Sequence, residues 1–226
     1  YWYQERQDEG NDAWDLTHQF DVLLNHAFSE RVTFDFMNSF VVAQDPALLD
    51  PTGVTSNPYR VEGDNIRNFA NAQLNVRLTE MWSSVFGYAN TYFNYESDNS
   101  ANETVFGPGG VASLSGINDR MEQTFLLNLR WQMLQETVGV FGYNFAMTDY
   151  SSDEFIGYYA PTTFDVPADY RNSRSHFLYV GADHNFNQQL SLSVRLGAQD
   201  ADFYNDPTSD TDVTPYGDLS LNYIYR

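Results

Sequence analysis

The chain has no cysteine among its 226 residues, which excludes a disulfide scaffold or a thiolate metal site and leaves the redox compartment open. It also lacks any run near the ~18 apolar residues of a membrane-spanning helix. Basic residues are scarce: 11 Lys and Arg stand against 31 Asp and Glu, a formal net charge of −20. Phosphate binding needs clustered cations, so nucleic acid is excluded as a partner. Residues 1–10 show neither a basic leader nor an apolar stretch, so no signal peptide is visible and the sequence reads as the inside of a mature protein.

What the chain has is aromatic residues, 16 Tyr and 17 Phe, types that suit pleated, half-buried strands. Their arrangement is clearest in residues 14–43. The even positions Trp14, Leu16, His18, Phe20, Val22, Leu24, Val32, Phe34, Phe36, Phe40 and Val42 are nearly all apolar. The odd ones are mostly polar, with Leu23, Met37 and Val41 as intruders. Period two means strand, and the short turn at residues 28–31 makes the two arms an antiparallel hairpin with a common apolar face. Each arm is about twelve residues long, roughly double a soluble strand, whereas a tilted membrane-spanning strand needs about 9–11.

The same alternation predicts strands over 65–78, 82–95, 120–133, 138–148, 175–184, 190–201 and 216–226, with 1–3 as a further strand stub and 5–13 as a polar loop. Turns of about 3–5 residues join these strands on one side. Long, breaker-rich connections at 44–64, 97–118, 149–174 and 202–214 join them on the other. One-sided loops of this kind mark a transmembrane, antiparallel, up-and-down β-barrel. We therefore expect an all-β single domain over 1–226, with about ten strands present and no helix beyond a turn or two. The incomplete ends lead us to expect a piece of a larger barrel. An internal echo supports hairpin repetition: Leu74-Asn75-Val76-Arg77 recurs as Leu127-Asn128-Leu129-Arg130, and Phe86-Gly87-Tyr88 as Phe141-Gly142-Tyr143. Composition bias in similar strands explains the echo equally well.

Charge placement gives the rows a direction. Asp21, Asp35, Arg67, Arg77, Glu122, Arg130, Asp183, Arg195 and Asp218 all fall on the polar row. A charge facing lipid at mid-bilayer would cost about 2–4 kcal/mol. A soluble barrel would turn this row to the water outside and pack the apolar row within; the twelve-residue strands and one-sided loops favour the inverse, with the apolar row in lipid and these charges in a wet lumen. There the arginines and opposing acids either select ions by sign or pair with one another and fill a narrow barrel.

The hairpin at 14–43, the phrase Gly63-Asp64-Asn65-Ile66-Arg67-Asn68 opening a strand, and Phe141-Gly142-Tyr143 resemble the outer-membrane β-barrel porin families of diderm bacteria. The resemblance covers nearly the whole chain. It implies an outer-membrane location and passive diffusion of small solutes or ions, or else an anchoring, adhesive role with a plugged lumen. It carries over no catalytic residue and no cofactor. The terminal Tyr225-Arg226 departs from it, since such barrels usually finish on an aromatic residue.

Three further features bear on chemistry. By parity His18, His26, His176 and His184 share the lipid-facing row; they read as interface residues, and a rim hydrolase built around His176 is the weaker alternative, because a general base must reach its nucleophile. Asp200, Asp202, Asp206, Asp210 and Asp212 crowd one loop and are candidates for a Ca²⁺ site, though their spacing does not fit an EF-hand and a solvated acidic tip is the simpler expectation. Asn38 is a polar residue in the middle of an apolar row, where an unpaired amide costs on the order of 1–3 kcal/mol. Shielding by aromatics, a bulge, or contact with a second copy or another membrane subunit would each relieve it; the last is the reading preferred here.

Overall fold

The computed structural model describes residues 2–8, 11–43, 64–95, 114–151, 155–159, 164–209 and 212–225. Ten strands form one antiparallel sheet in up-and-down order: β1 (Trp2–Asp8), β2 (Asn11–Ser29), β3 (Val32–Ala43), β4 (Asn65–Arg77), β5 (Trp82–Tyr95), β6 (Arg120–Leu134), β7 (Thr137–Tyr150), β10 (Ser173–Asn185), β11 (Leu190–Asp202) and β12 (Asp212–Tyr223). β8 (Phe155–Tyr159) and β9 (Phe164–Pro167) pair separately inside the long connection after β7. The described helices are short: α1 (Leu114–Asn118) and a 3-10 turn (Ala168–Arg171). β1 and β12 are the two ends of the sheet and do not pair with each other, so the sheet is open.

Three elements differ from expectation. The polar stretch 5–13 is not a loop: Trp2 to Asp8 pairs with Thr17 to Asn11, so β2 runs for 19 residues. Its alternation is polar on both rows there, and backbone pairing rather than an apolar face defines it. β12 begins four residues early, at Asp212, and contains Pro215, which is tolerated because an end strand needs hydrogen bonds on one side only. The tight turns come with bulges beside Phe28 and Met133, which shift the register between Ala27 and Ser29 and between Gln132 and Leu134.

The register joins the apolar rows of the sheet strands from β2 to β12 into one face. One ladder line runs Phe36, Ala72, Tyr88, Phe125, Phe145, His176. Another runs Val32, Val76, Ser84, Leu129, Phe141, Val180, Leu196, Gly217. The second line starts at the turn end of β3 and reaches β12 six residues short of Tyr223. Relative to the row of tight turns, that is a rise of about 20 Å over about 34 Å of sheet, a slant of about 30°. Closing a sheet into a barrel demands such a stagger, with strand tilts of about 35–45°.

The apolar face is the exposed one. Leu178 is 65% exposed and Val180 51%, and Phe20, Phe86, Phe125, Leu196, Leu219 and Leu221 are open on the same face. The buried apolar side chains of the sheet, Val41, Ala43, Phe93, Tyr95 and Val140, lie on the opposite, polar row. Val41 is thus an intruder with a packing role, whereas Leu23 and Met37 face each other across β2 and β3 and stay exposed.

Candidate functional site: the charged polar face

The face opposite the exposed apolar rows carries nearly all the chemistry, because period two sends every second side chain there. At its centre Asp183 on β10 gathers three donors. Arg195 Nη2 donates to Oδ1 at 2.6 Å, Ser193 Oγ to the same oxygen at 2.7 Å, and Arg130 Nη2 to Oδ2 at 3.3 Å. Arg195 reaches Asp183 by crossing Gly181, where an added Cβ would lie 2.6 Å from the arginine Cδ and 2.2 Å from the Val194 carbonyl oxygen. Next to this cluster, Tyr179 lies flat over Gly142 on β7 and donates its hydroxyl proton to Asn128 Oδ1 on β6 at 2.6 Å. Sequence reasoning missed this bond; the signal for it was the glycine in Phe141-Gly142-Tyr143.

The remaining polar-row charges form separate local groups. Asp35 accepts from Asn25 and from Asn75 Nδ2, the latter at 3.2 Å. Asp21 accepts from Gln19 at 3.0 Å. Glu122 pairs with Arg120 at 2.6 Å, and that guanidinium also lies over the Phe93 ring. Arg67 is buried, with an Nε that meets no hydrogen-bond partner among the described residues. Asp218 stands opposite Arg195 in the register but is exposed. Arg77 is exposed at the tight-turn end and forms no ion pair among the described residues.

The loop acids do not converge where they are described. Asp200 and Asp202 belong to β11, the first opposite His176 and the second opposite Arg174. Asp206 accepts from the Thr208 amide and hydroxyl at 2.8 and 2.7 Å, bonds that hold its carboxyl below the usual range. Asp210 and the side chain of Asp212 lie outside the described residues. Among the described residues, no three His, Asp or Glu side chains approach one another as metal ligands would.

The histidines lie on the apolar face and meet hydroxyls and rings there. His176 Nδ1 is 2.8 Å from the Tyr143 hydroxyl, and His184 Nδ1 is 2.9 Å from Thr137 Oγ1. His26 packs edge-on against Phe28. Asn38 finds its partner within the sheet: its Nδ2 donates to Asn68 Oδ1 at 2.9 Å and to the Phe69 carbonyl at 3.3 Å. Asn68 shares the face by parity with Ile66 and Ala70, which is how the sequence could have shown it. With that amide satisfied locally, nothing about Asn38 demands a second subunit.

At the tight-turn edge of the apolar face, Trp82 and Trp131 are paired in register and stacked, ring centroids 5.5 Å apart and 6° from parallel. The opposite edge is tied down across connections. Arg171 Nη2 donates to the Gly116 and Ile117 carbonyls at the end of α1 and its guanidinium covers the Tyr150 ring, while Tyr204 donates to Asp149.

Compared with known proteins, the chain matches no family model, no curated protein and no solved structure. The functional reading therefore rests on geometry.

Proposed function

We propose that the chain is an outer-membrane β-barrel protein of the porin-like type, its apolar face in lipid and its polar face lining an aqueous path for small solutes or ions. The observation that carries this reading is the inversion of burial: large apolar side chains from β2 to β12 are exposed on one face, while polar and charged side chains occupy the more covered one. In water each exposed Leu or Phe would forgo about 1.5–3 kcal/mol of burial, and a contiguous patch of this kind marks a membrane or protein contact. In lipid it forgoes nothing. The slanted register and the stacked Trp82 and Trp131 at one edge fit a tilted wall with an aromatic girdle. The ion pairs around Asp183 favour a second reading, a plugged barrel with an anchoring or adhesive role. A barrel hydrolase gains no support, since His176 and His184 meet Tyr143 and Thr137 on the apolar face.

The absence of cysteine makes the test direct. Thr124 and Phe125 are neighbours on opposite faces of β6. In vesicles, Thr124→Cys should react with a water-soluble maleimide and Phe125→Cys should resist it; equal reactivity would sink the membrane reading. Conductance in planar bilayers then separates an open channel from a plugged barrel.

A further inference from the structure

The tight-turn end of the polar face holds a recess of about 460 Å³. Its wall is formed by Arg77 on β4, Ser83 on β5, and Arg130 and Gln132 on β6, and its floor by the β4–β5 turn. We propose that this recess binds a small oxyanion, a carboxylate- or phosphate-bearing solute, between the guanidinium groups of Arg77 and Arg130. The proposal rests on reading the polar face as water-filled, since an oxyanion reaches the recess only through water.

Register fixes the geometry. Arg77 pairs with Ser83, and Ser83 pairs with Arg130, so the two arginines flank one hydroxyl on a single ladder line. Two strand steps separate their Cα atoms by about 10 Å; both side chains line the recess, and the Arg130 guanidinium, which leans toward Asp183 on β10, swings back over Ser83 to share one oxyanion with Arg77. These are also the corresponding arginines of the two repeated Leu-Asn-x-Arg segments.

Their charge is available. Arg77 has no ion pair among the described residues. Arg130 touches Asp183 through one nitrogen at 3.3 Å, while the other oxygen of that carboxylate is held at 2.6 Å by Arg195. Most of the Arg130 fork therefore remains open for bidentate contact, the geometry in which guanidinium recognises planar oxyanions. Glu80 is the acid in the lining, and it sits in the turn without an ion pair to either arginine among the described residues. The turn beneath is fixed, because Thr79 Oγ1 accepts from the Met81 and Trp82 amides at 3.2 and 3.0 Å. The volume suits a solute of a few carbons rather than a polymer.

The test is calorimetric titration of the full chain in detergent micelles with succinate and, separately, with inorganic phosphate. At least one should bind; which one tells carboxylate from phosphate preference. Arg77→Gln and Arg130→Gln should each weaken binding about tenfold or more, with Arg77→Lys and Arg130→Lys in between, because lysine keeps the charge but loses the fork. Arg120→Gln, which removes a cation from the far end of the same face where it pairs with Glu122, should leave binding unchanged. A wild-type strand signal in circular dichroism shows that each variant folds. No binding of either anion, or an equal loss in Arg120→Gln, would overturn the site. Conductance is read independently: current without anion binding removes the site and leaves the channel, whereas binding without current leaves the site and removes the channel.

Discussion

Gly142 shows how one missing side chain organises the polar face. An added Cβ would lie 2.0 Å from Tyr179 Cζ, so even alanine displaces the ring and breaks its 2.6 Å bond to Asn128. Overpacking of this kind costs about 1–3 kcal/mol, and loss of one hydrogen bond about 1 kcal/mol. We expect urea unfolding in detergent to show Gly142→Ala destabilised by the first amount and Tyr179→Phe by the second. The two share one contact, so Gly142→Ala combined with Tyr179→Ala should cost clearly less than the sum of the single changes. Additivity would mean that the ring does not depend on the glycine. Asn38 teaches a related lesson. Its polarity was legible in the sequence, and parity puts Asn68 on the same face, but only the register between β3 and β4 brings the two within reach.

Element by element, the strands were readable wherever one row was apolar. β3, β4, β6 and β10 lie within one or two residues of the ranges that alternation predicts. Of β1 only the first residues were readable, and the start of β2 not at all, because backbone pairing without an apolar row leaves no period to find. The β8 and β9 hairpin was hidden in the same way inside a segment rich in loop residues. The connections at the far edge carry their own structure. Tyr204, between β11 and β12, donates to Asp149 at the end of β7, and burial followed by that carboxylate pushes its phenol up to about 12. A phenol ordinarily titrates near 10. Because the folded value is the higher one, the tie contributes fully below about pH 10 and is lost as pH rises through about 12. Phenolate absorbance should therefore show a late-titrating tyrosine that disappears in Tyr204→Phe. An unchanged titration curve in that variant would mean the bond does not hold the loop.

For the molecule as a whole, the open edges pose the sharpest physical demand. β1 and β12 each end the sheet, and the outward backbone groups of an end strand normally turn to water. In hydrocarbon there is none, and each unsatisfied group costs several kcal/mol, which is why membrane sheets close. If the apolar face sits in lipid, both edges must be paired there, with each other, with further strands or with a second copy. Proline at position 215 limits this only locally, since it has no amide proton to pair. Hydrogen exchange on the chain in lipid vesicles should consequently find the other amides of β12, such as those of Leu219 and Leu221, protected nearly as well as those of β6 at the sheet's centre. An open sheet in water predicts the reverse: β6 amides protected by neighbours on both sides, and every second amide of β12 exchanging fast. Fast exchange along β12 in vesicles would remove the lipid-embedded barrel at its root, whatever the faces of the sheet look like. Protection that depends on protein concentration would instead identify a second copy as the source of the missing strands.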